Sequence, residues 1–378
     1  MNTQLLFKSI MSNPGARRMK VKDSYSKLLR SLLVFASLLI SHNVSAFTLI
    51  EIFPSDTPSN TVTDTETLDT QVQTVTSAIG GHIQGVIRGT MRRQEVAANE
   101  LMDMTGINAG DGMVNVGMWV SGSYTDYEDD FTSTAFEGDT VLGLVGIDIA
   151  PTDNILLGVA LGYENSDITT TFNTGTQESD GYTVAPYFGI ILNNYFSIDG
   201  SFGYSDIDTD QFRFAPIGAG AGAIISSSPS SERYFATLNL NAITYVGNWV
   251  LGARGGALYA KNKQDAFTET SSSPLVVPAP VQETESKLKQ WYLGGDVAYG
   301  VGLFEPFASF MYEREFDSTE LTFTSGPQPS NDEDSYLVGA GVRYFGTEGL
   351  SASLEWDRRL GRDNFDEDRF SLIIRGDF

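Results

Sequence analysis

The sequence predicts an all-β transmembrane barrel of twelve antiparallel strands, preceded by an α-helix that sits in its lumen. Three observations carry that prediction. From residue 113 onward, apolar and polar side chains alternate with a period of two, the spacing that sends successive side chains to opposite faces of a strand. Between these runs, tight turns and long polar loops take turns in strict order. Finally, the chain ends within a strand and on an aromatic. Phe370, Leu372, Ile374, Gly376 and Phe378 share one face, and Ser371, Arg375 and Asp377 the other, with Ile373 the one apolar exception. A soluble sheet rarely stops on a large apolar residue. A strand closing a barrel in lipid can, because its outer face meets hydrocarbon and its inner face a polar lumen.

The N-terminal residues 1–46 read as a secretory signal peptide. Arg17, Arg18, Lys20, Lys22, Lys27 and Arg30 form a basic region, Leu32–Ile40 is apolar, and Val44-Ser-Ala46 is a small-residue cleavage site. The apolar run is shorter than the roughly 20 residues of a spanning helix. Without residues 1–46 the formal charge falls from −24 to about −30, since seven cations and one anion leave with them. Such acidity repels nucleic acid, so no nucleic-acid partner is expected. Cysteine is absent, which excludes disulfides and thiolate metal sites. Residues 47–64, rich in Thr, Ser, Pro and Asp, read as a flexible segment.

Residues 65–112 read as a pre-barrel helix and linker. Leu68, Val72, Val75, Ile79, Ile83 and Val86 recur at steps of three and four, the spacing of one helical face. Gly80, Gly81, Gly85 and Gly89 interrupt it, each at about 1 kcal/mol against Ala, which is tolerable where only a small side chain fits. Arg88, Arg92 and Arg93 form a basic cluster, and Gly106 with Asn108–Gly112 ends the helix.

Residues 113–378 supply the strands. Val114, Val116, Met118, Val120 and Tyr124 mark the first. Val141, Val145, Ile147 and Ile149 mark the second, and Ile155 to Tyr163 the third. Tyr182 to Ile190, Phe196 to Tyr204, Tyr234 to Leu240 and Trp249 to Tyr259 give the fourth to seventh. Trp291 to Tyr299, Phe304 to Phe310, Tyr336 to Tyr344 and Leu350 to Trp356 give the eighth to eleventh, and Phe370 to Phe378 the twelfth. Tight turns follow the even strands at Pro151–Asp153, Asn193-Asn194, Gly247-Asn248, Gly300–Gly302 and Phe345–Gly349. Longer loops near 125–139, 165–179, 206–231, 261–285, 316–333 and 360–367 follow the odd ones. Short turns at the periplasmic rim and long loops outside are the habit of outer-membrane barrels. A soluble β-sandwich would explain neither that rhythm nor the terminal Phe.

The last strand resembles the terminal strand of Gram-negative outer-membrane barrels, whose C-terminal Phe is read by the barrel assembly machinery. On that likeness, Phe370, Leu372, Ile374, Gly376 and Phe378 are the assembly signal. Five further stretches lie in order: Met118–Tyr124, Leu142–Asp148, Asp153–Tyr163, Asp180–Tyr187 and Phe304–Phe310. With the pre-barrel helix they resemble the translocator domain of autotransporters (type V secretion). The resemblance covers residues 113–378, and the helix extends it to about residue 65. It implies a helix that threads the pore and a barrel that helps deliver an N-terminal passenger. Only residues 47–64 lie between signal and helix, too few for a folded passenger, and the adjacent Asn pair of self-cleaving relatives is missing from the helix.

Chemistry is sparse. After residue 46 the sequence has one histidine, His82, in the helix. Ser-His and Asp-His hydrolysis need a histidine base near the reacting atoms, so His82 is expected to contact the lumen wall, and no enzyme, cofactor or metal centre is expected. Acids crowd the first external loop (Asp126, Glu128, Asp129, Asp130) and the last (Asp363, Asp366, Glu367, Asp368). They read either as divalent-cation ligands bridging to lipopolysaccharide or as solvated, mutually repelling loops. Inward positions are assigned to Arg233, Arg254, Lys287, Asp296, Glu313, Arg343, Glu355, Asp357, Arg359, Arg369 and Arg375, with Arg88, Arg92 and Arg93 of the helix meeting Glu313, Glu355 or Asp357. The Gly-rich run Phe214–Ile225 reads as a flexible spacer.

The expected protein is a monomeric barrel of the Gram-negative outer membrane, in contact with outer-membrane lipid, lipopolysaccharide and the assembly machinery. It acts as translocator or surface scaffold for a short N-terminal segment and its own loops. A small-solute pore and a surface adhesion protein working through acidic loops are the alternatives.

Overall fold

The computed structural model describes residues 48–52, 57–100, 115–216, 220–323, 328, 332–346 and 349–378. Residues 1–46, read as a signal peptide, and the turn at 106–112 lie outside them.

All twelve strands form. They are β1 (Asn115–Asp129), β2 (Phe136–Thr152), β3 (Ile155–Thr170), β4 (Gly175–Ile191), β5 (Phe196–Phe214) and β6 (Ser230–Val246). There follow β7 (Trp249–Gln264), β8 (Thr284–Tyr299), β9 (Phe304–Phe323), β10 (Asp334–Phe345), β11 (Leu350–Leu360) and β12 (Phe365–Asp377). Each pairs antiparallel with its sequence neighbours, and β12 pairs with β1 from Phe365↔Asp129 to Asp377↔Gly117, closing the cylinder. The amide of Phe378 adds a bond to the Val116 carbonyl at 2.9 Å. Closure is what lipid demands, since every backbone polar group in hydrocarbon must be satisfied internally.

The outer wall is apolar between two aromatic belts. At the short-turn rim Trp249 meets Tyr299 with centroids 4.9 Å apart, and Phe304 meets Tyr344 at 5.2 Å. Nearer the other rim Tyr163–Tyr182, Tyr204–Tyr234, Trp291–Tyr312 and Tyr312–Tyr336 lie at 5.1–5.5 Å. On β5 the belts are Phe196 and Tyr204, eight residues or about 26 Å along the strand. Tilted by about 40°, that length gives about 20 Å of height, of the order of the roughly 25 Å apolar band of such barrels. Phe370, Leu372, Ile374 and Phe378 face outward, Phe378 being 81% exposed.

The strands run past the upper belt, so most of the expected long loops are ladder. Residues 165–179, read as a loop, are the end of β3, a tight turn and the start of β4, paired from Asp167↔Glu178 to Thr170↔Gly175. The reason is physical. Beyond the lipid the outward face meets water and the buried inward face holds mostly polar groups such as Ser166, Thr170, Gln177 and Ser179, so hydropathy stops alternating while the hydrogen-bond ladder continues. The Gly-rich run also differs from expectation: Ile224–Phe214 to Ser227–Gln211 pairing folds its end back on β5. Lys287, assigned inward, points outward, because Ser286, Leu288 and Gln290 hold the buried positions of β8.

Residues 47–64, expected as flexible, contain two ordered elements. Thr48–Ile52 is a strand, parallel to Thr319–Phe323 of β9. Ser59–Glu66 is a helix, α1. Leu68–Glu100 follows as α2, whose 33 residues span about 50 Å.

The architecture predicts unequal costs for one substitution at two heights. Val159 faces lipid midway between the belts on β3, and Asp167 lies beyond the upper belt on the same face. Val159→Arg is expected to cost about 2–4 kcal/mol and Asp167→Arg about 1 or less, measured by urea unfolding in lipid vesicles.

Candidate functional site

The candidate site is the lumen itself, because α2 occupies it. Leu68, Val72, Val75, Ala78, Ile79, Ile83, Ile87 and Met91 form the buried stripe of α2. The wall receives that stripe with apolar side chains of its own: Leu142 and Leu144 of β2, Leu156 and Ala160 of β3, Ala185 and Tyr187 of β4, and Phe235 of β6. Ile373, the apolar exception of the last strand, belongs to this contact; its Cδ1 lies 3.1 Å from where a Gly81 Cβ would stand. A Cβ on Gly80 would stand 2.7 Å from the Arg254 guanidinium. These two glycines let the helix approach the wall, whereas Gly85 has open space beside it.

At the long-loop rim α1 covers the mouth. Asn60 makes three bonds to two strands: its amide and carboxamide donate to Gln211 Oε1 (2.9 Å) and Gln264 Oε1 (2.6 Å), and Gln211 donates back to Asn60 Oδ1 (2.8 Å). The Thr63 hydroxyl donates to Gln177 Oε1 at 2.7 Å, and Asn173 donates to the Thr57 carbonyl at 3.1 Å. Val62 packs with Leu321 and Phe323 beneath Phe131 and Phe172.

Below it lies an ionic layer. Arg359, fully buried, reaches Asp69 of α2 (2.8 Å), Glu313 (2.9 Å) and Glu367 (2.8 Å). Gln73 donates to Glu313 (3.0 Å) and Thr70 to Glu367 (2.8 Å). Arg362 adds ion pairs to Asp69 and Glu315. Arg233 holds Glu164 at 2.8 Å and donates to Gln71 at 2.5 Å.

A third layer surrounds His82. Its ring stacks on Trp119, with centroids 4.4 Å apart and planes 13° apart, and its Nε2 lies 2.8 Å from Asp148 Oδ2. Arg375 grips Asp148 through two bonds of 2.7 and 2.8 Å. Tyr187 donates to the same carboxylate (3.0 Å) and accepts from the Trp119 indole (2.7 Å). Every member is buried. Nearer the short-turn rim Arg88 meets Asp296 at 2.5 Å, and Arg343 joins Asp296 (3.2 Å) to Glu305 (3.1 Å) while lying 3.7 Å over the Phe307 ring.

The residues singled out from sequence are thus divided differently from expectation. Arg88 takes Asp296 in place of Glu313, Glu355 or Asp357. Arg92 donates to the Gly302 carbonyl (3.4 Å) and lies 5.7 Å from the Phe345 ring centroid. The side chain of Arg93 lies outside the described residues. Glu313 meets the helix through Gln73, and Asp357 pairs with Arg369 at 3.3 Å. Glu355, near Arg343, Arg369 and Asp357, lines a cavity of about 170 Å³ beside α2 with Gln84, Arg88, Arg254 and Asp296. Two of the loop acids belong to the interior: Asp129 is buried and accepts from Phe131 N and Thr134, and Glu367 serves Arg359. Sequence reasoning missed Asp69, Asp148 and Trp119. The signal for Asp148 was a lone acid on the inward face of an otherwise apolar strand.

Among the described residues no group of three or more His, Asp or Glu side chains is arranged to hold a metal ion. The geometry holds a helix: apolar packing along its buried stripe, ion pairs and hydrogen bonds from the wall to Asp69, His82 and Arg88, and a polar seal above.

Two outcomes follow. Asp148→Ala removes the acceptor shared by Arg375, His82 and Tyr187 and is expected to cost about 3–5 kcal/mol, as for other buried ions stripped of a partner, read by urea unfolding in micelles. The second concerns Glu66, which ends α1 outside the lipid zone. Burial first, then the carboxylates of Asp129, Glu315 and Glu320, push it up to about 8 from an ordinary 4.5, against the pull of Arg362. The folded form therefore favours the protonated carboxyl. Its contribution is present below pH 4.5 and is lost as the pH rises through about 8. Limited proteolysis ahead of α2 should be faster at pH 9 than at pH 5.5, and Glu66→Gln should flatten the difference.

The translocator domain of the autotransporter NalP from Neisseria meningitidis superimposes with a TM-score of 0.56 at 15% identity, covering 80% of this chain and 98% of that one. The beta domain of the Bordetella autotransporter BrkA gives 0.55 at 15% identity, covering 70% and 99%. Identities so low speak for the fold alone. No curated protein sequence matches the chain significantly. The profile of the autotransporter beta-domain family matches residues 118–357, from the first strand into the eleventh. With that match over more than half its length, the chain belongs to the autotransporter beta-domain family.

Proposed function

We propose that this barrel stands in the outer membrane and acts as translocator and surface scaffold for its own short N-terminal segment and its extended hairpins. One observation supports this reading above the others. The N-terminal residues reach the long-loop rim, where Thr48–Ile52 pairs with Thr319–Phe323 and α1 fills the mouth. The other end of α2 meets the short-turn rim through Arg88 and Arg92. The chain therefore runs through the cylinder from one rim to the other. In barrels of this kind the long loops face outside, which puts the segment before α1 at the cell surface. There it is tied to β9 as an added strand, a mode that supplies main-chain hydrogen bonds without needing a matched side-chain surface. The outward Phe370, Leu372, Ile374 and Phe378, with Gly376, stand as the signal for the assembly machinery.

An epitope inserted before Thr48 tests the reading. Antibody is expected to label it on intact cells, and protease to remove it without permeabilisation. Labelling only after the outer membrane is opened would overturn the proposal. Planar-bilayer conductance is expected to be low for the intact barrel and to rise several-fold once residues 57–100 are deleted. High conductance of the intact chain would favour a solute pore.

A further inference from the structure

Beyond residue 46 the chain has four lysines, Lys261, Lys263, Lys287 and Lys289, and all its other cations apart from His82 are arginines. The four lysines occupy one patch. Lys261 and Lys263 lie on β7 and Lys287 and Lys289 on β8, and the register sets Lys261 directly opposite Lys287. All four point away from the lumen, whose positions here belong to Asn262, Gln264, Ser286, Leu288 and Gln290.

Their height is defined by the aromatic belt. Lys261 stands opposite Tyr234, and Lys289 opposite Tyr259 and two residues from Trp291. The patch starts level with the belt and extends one step beyond it, where the headgroups of the outer leaflet lie.

Most of the rest of that ring is acidic, and the two outward arginines among its described residues are already paired, Arg314 of β9 with Glu333 and Asp334 and Arg358 of β11 with Asp366 and Asp368. Across β12, β1, β2, β3, β4 and β5, Asp368, Asp126, Asp139, Asp167, Glu178 and Asp210 stand directly opposite one another in register. An anionic headgroup is repelled along that arc. Around the cylinder, β7 and β8 form the sector where it meets ammonium groups.

The lysines are not empty-handed. Glu285 serves both Lys261 (2.5 Å) and Lys287 (2.6 Å), Glu283 serves Lys263 (3.0 Å), and Asp317 serves Lys289. Four ammonium groups thus share three carboxylates. Glu232, opposite Lys263, is taken by the hydroxyls of Tyr234 (3.1 Å) and Tyr204 (3.4 Å). Exposed pairs of this kind exchange partners readily. A cross-strand pair of like charges such as Lys261 and Lys287 is unfavourable unless an anion lies between them. Lysine, a compact point charge on a flexible stem, suits a phosphate that approaches from the lipid side.

We infer that Lys261, Lys263, Lys287 and Lys289 form a binding site for the phosphorylated headgroup of an outer-leaflet glycolipid. The inference rests on the outer-membrane placement proposed above. The two fail separately: membrane fractionation of cells tests the placement, and lipid binding to the purified barrel tests the site.

The test uses the full mature chain in micelles with EDTA, so that divalent cations cannot bridge the acidic arc. The probes are bisphosphorylated lipid A, its dephosphorylated form and inorganic pyrophosphate, read by native mass spectrometry. The bisphosphorylated lipid is expected to bind at least tenfold more tightly than the dephosphorylated one. The set Lys261→Gln, Lys263→Gln, Lys287→Gln and Lys289→Gln should abolish the difference, and the corresponding four Lys→Arg changes should keep most of it. Heat-modifiable migration in gels verifies that each variant is folded. If the quadruple Gln variant does not fold, the Lys261→Gln, Lys287→Gln double variant takes its place and should lose at least threefold. Unchanged preference in a folded Gln variant overturns the inference. So does pyrophosphate binding as tightly as the lipid, which would make the site one for free phosphate.

Discussion

Everything in this molecule depends on the closed hydrogen-bond ladder, and above all on the register of the seam between β12 and β1. Because side chains alternate strictly, a slip of one residue at that seam would turn β12 over relative to the lumen. Arg375, Arg369 and Glu367 would turn outward, and Phe370, Leu372 and Ile374 would enter the bore. The register Arg375↔Trp119 and Glu367↔Tyr127 is therefore also the register of the lumen's ion pairs. Hydrocarbon enforces it twice, by refusing unpaired backbone groups and by refusing charge on the outer face.

Within that frame the lumen solves a problem of desolvation. Filling a bore with a helix removes water from every ion that lines it, and two ions taken from water regain the cost only with close partners and further hydrogen bonds. The barrel limits the exposure to this problem by dividing the wall. β2, β3 and β4 present Leu142, Leu144, Leu156, Ala160 and Ala185 to the apolar stripe of α2. The arginines then gather on strands where acids from both the wall and the helix reach them. Arg359, with Asp69, Glu313 and Glu367, is the densest case. The cavity of about 170 Å³ beside α2 is lined by charged groups, Glu355 and Arg254 among them.

Much of this was legible in the residues. The period of two gave every strand crossing the lipid, because there one face must be apolar, and the period of three to four gave the stripe of α2. What escaped had a common cause. Where the outward face meets water and the buried inward face is mostly polar, as in Asp167–Thr170 and Gly175–Asp180, alternation of hydropathy fades and a ladder looks like a loop. Where both faces are apolar, as in Val141–Leu144, alternation vanishes again, and the inward Leu142 and Leu144 give no sign that they receive a helix. Ile373 carried the same message and read as an exception. Partner choice for the arginines was beyond reach for a different reason: Arg88 and Asp296 are 208 residues apart, and their meeting is fixed by the height of α2 in the bore, which no local pattern encodes. Residues 59–63 escaped because their polar side chains serve wall carboxamides, a burial that composition alone reads as solvation.

The placement of the His82 cluster ties these threads together. Its members come from α2, β1, β2, β4 and β12, so they include both strands of the seam. Trp119 on β1 and Arg375 on β12 become register partners only when the seam closes. His82 meets them, together with Asp148, only when α2 lies in the bore. The cluster is complete in one state alone, the sealed cylinder with its helix inside. By linkage, whatever free energy it supplies to closure it supplies equally to helix occupancy. An empty closed barrel would lack the ring stacked on Trp119, and an open one with α2 in place would hold Asp148 without Arg375. Closure and threading are in this way one equilibrium, because the strands that finish the wall also hold the helix.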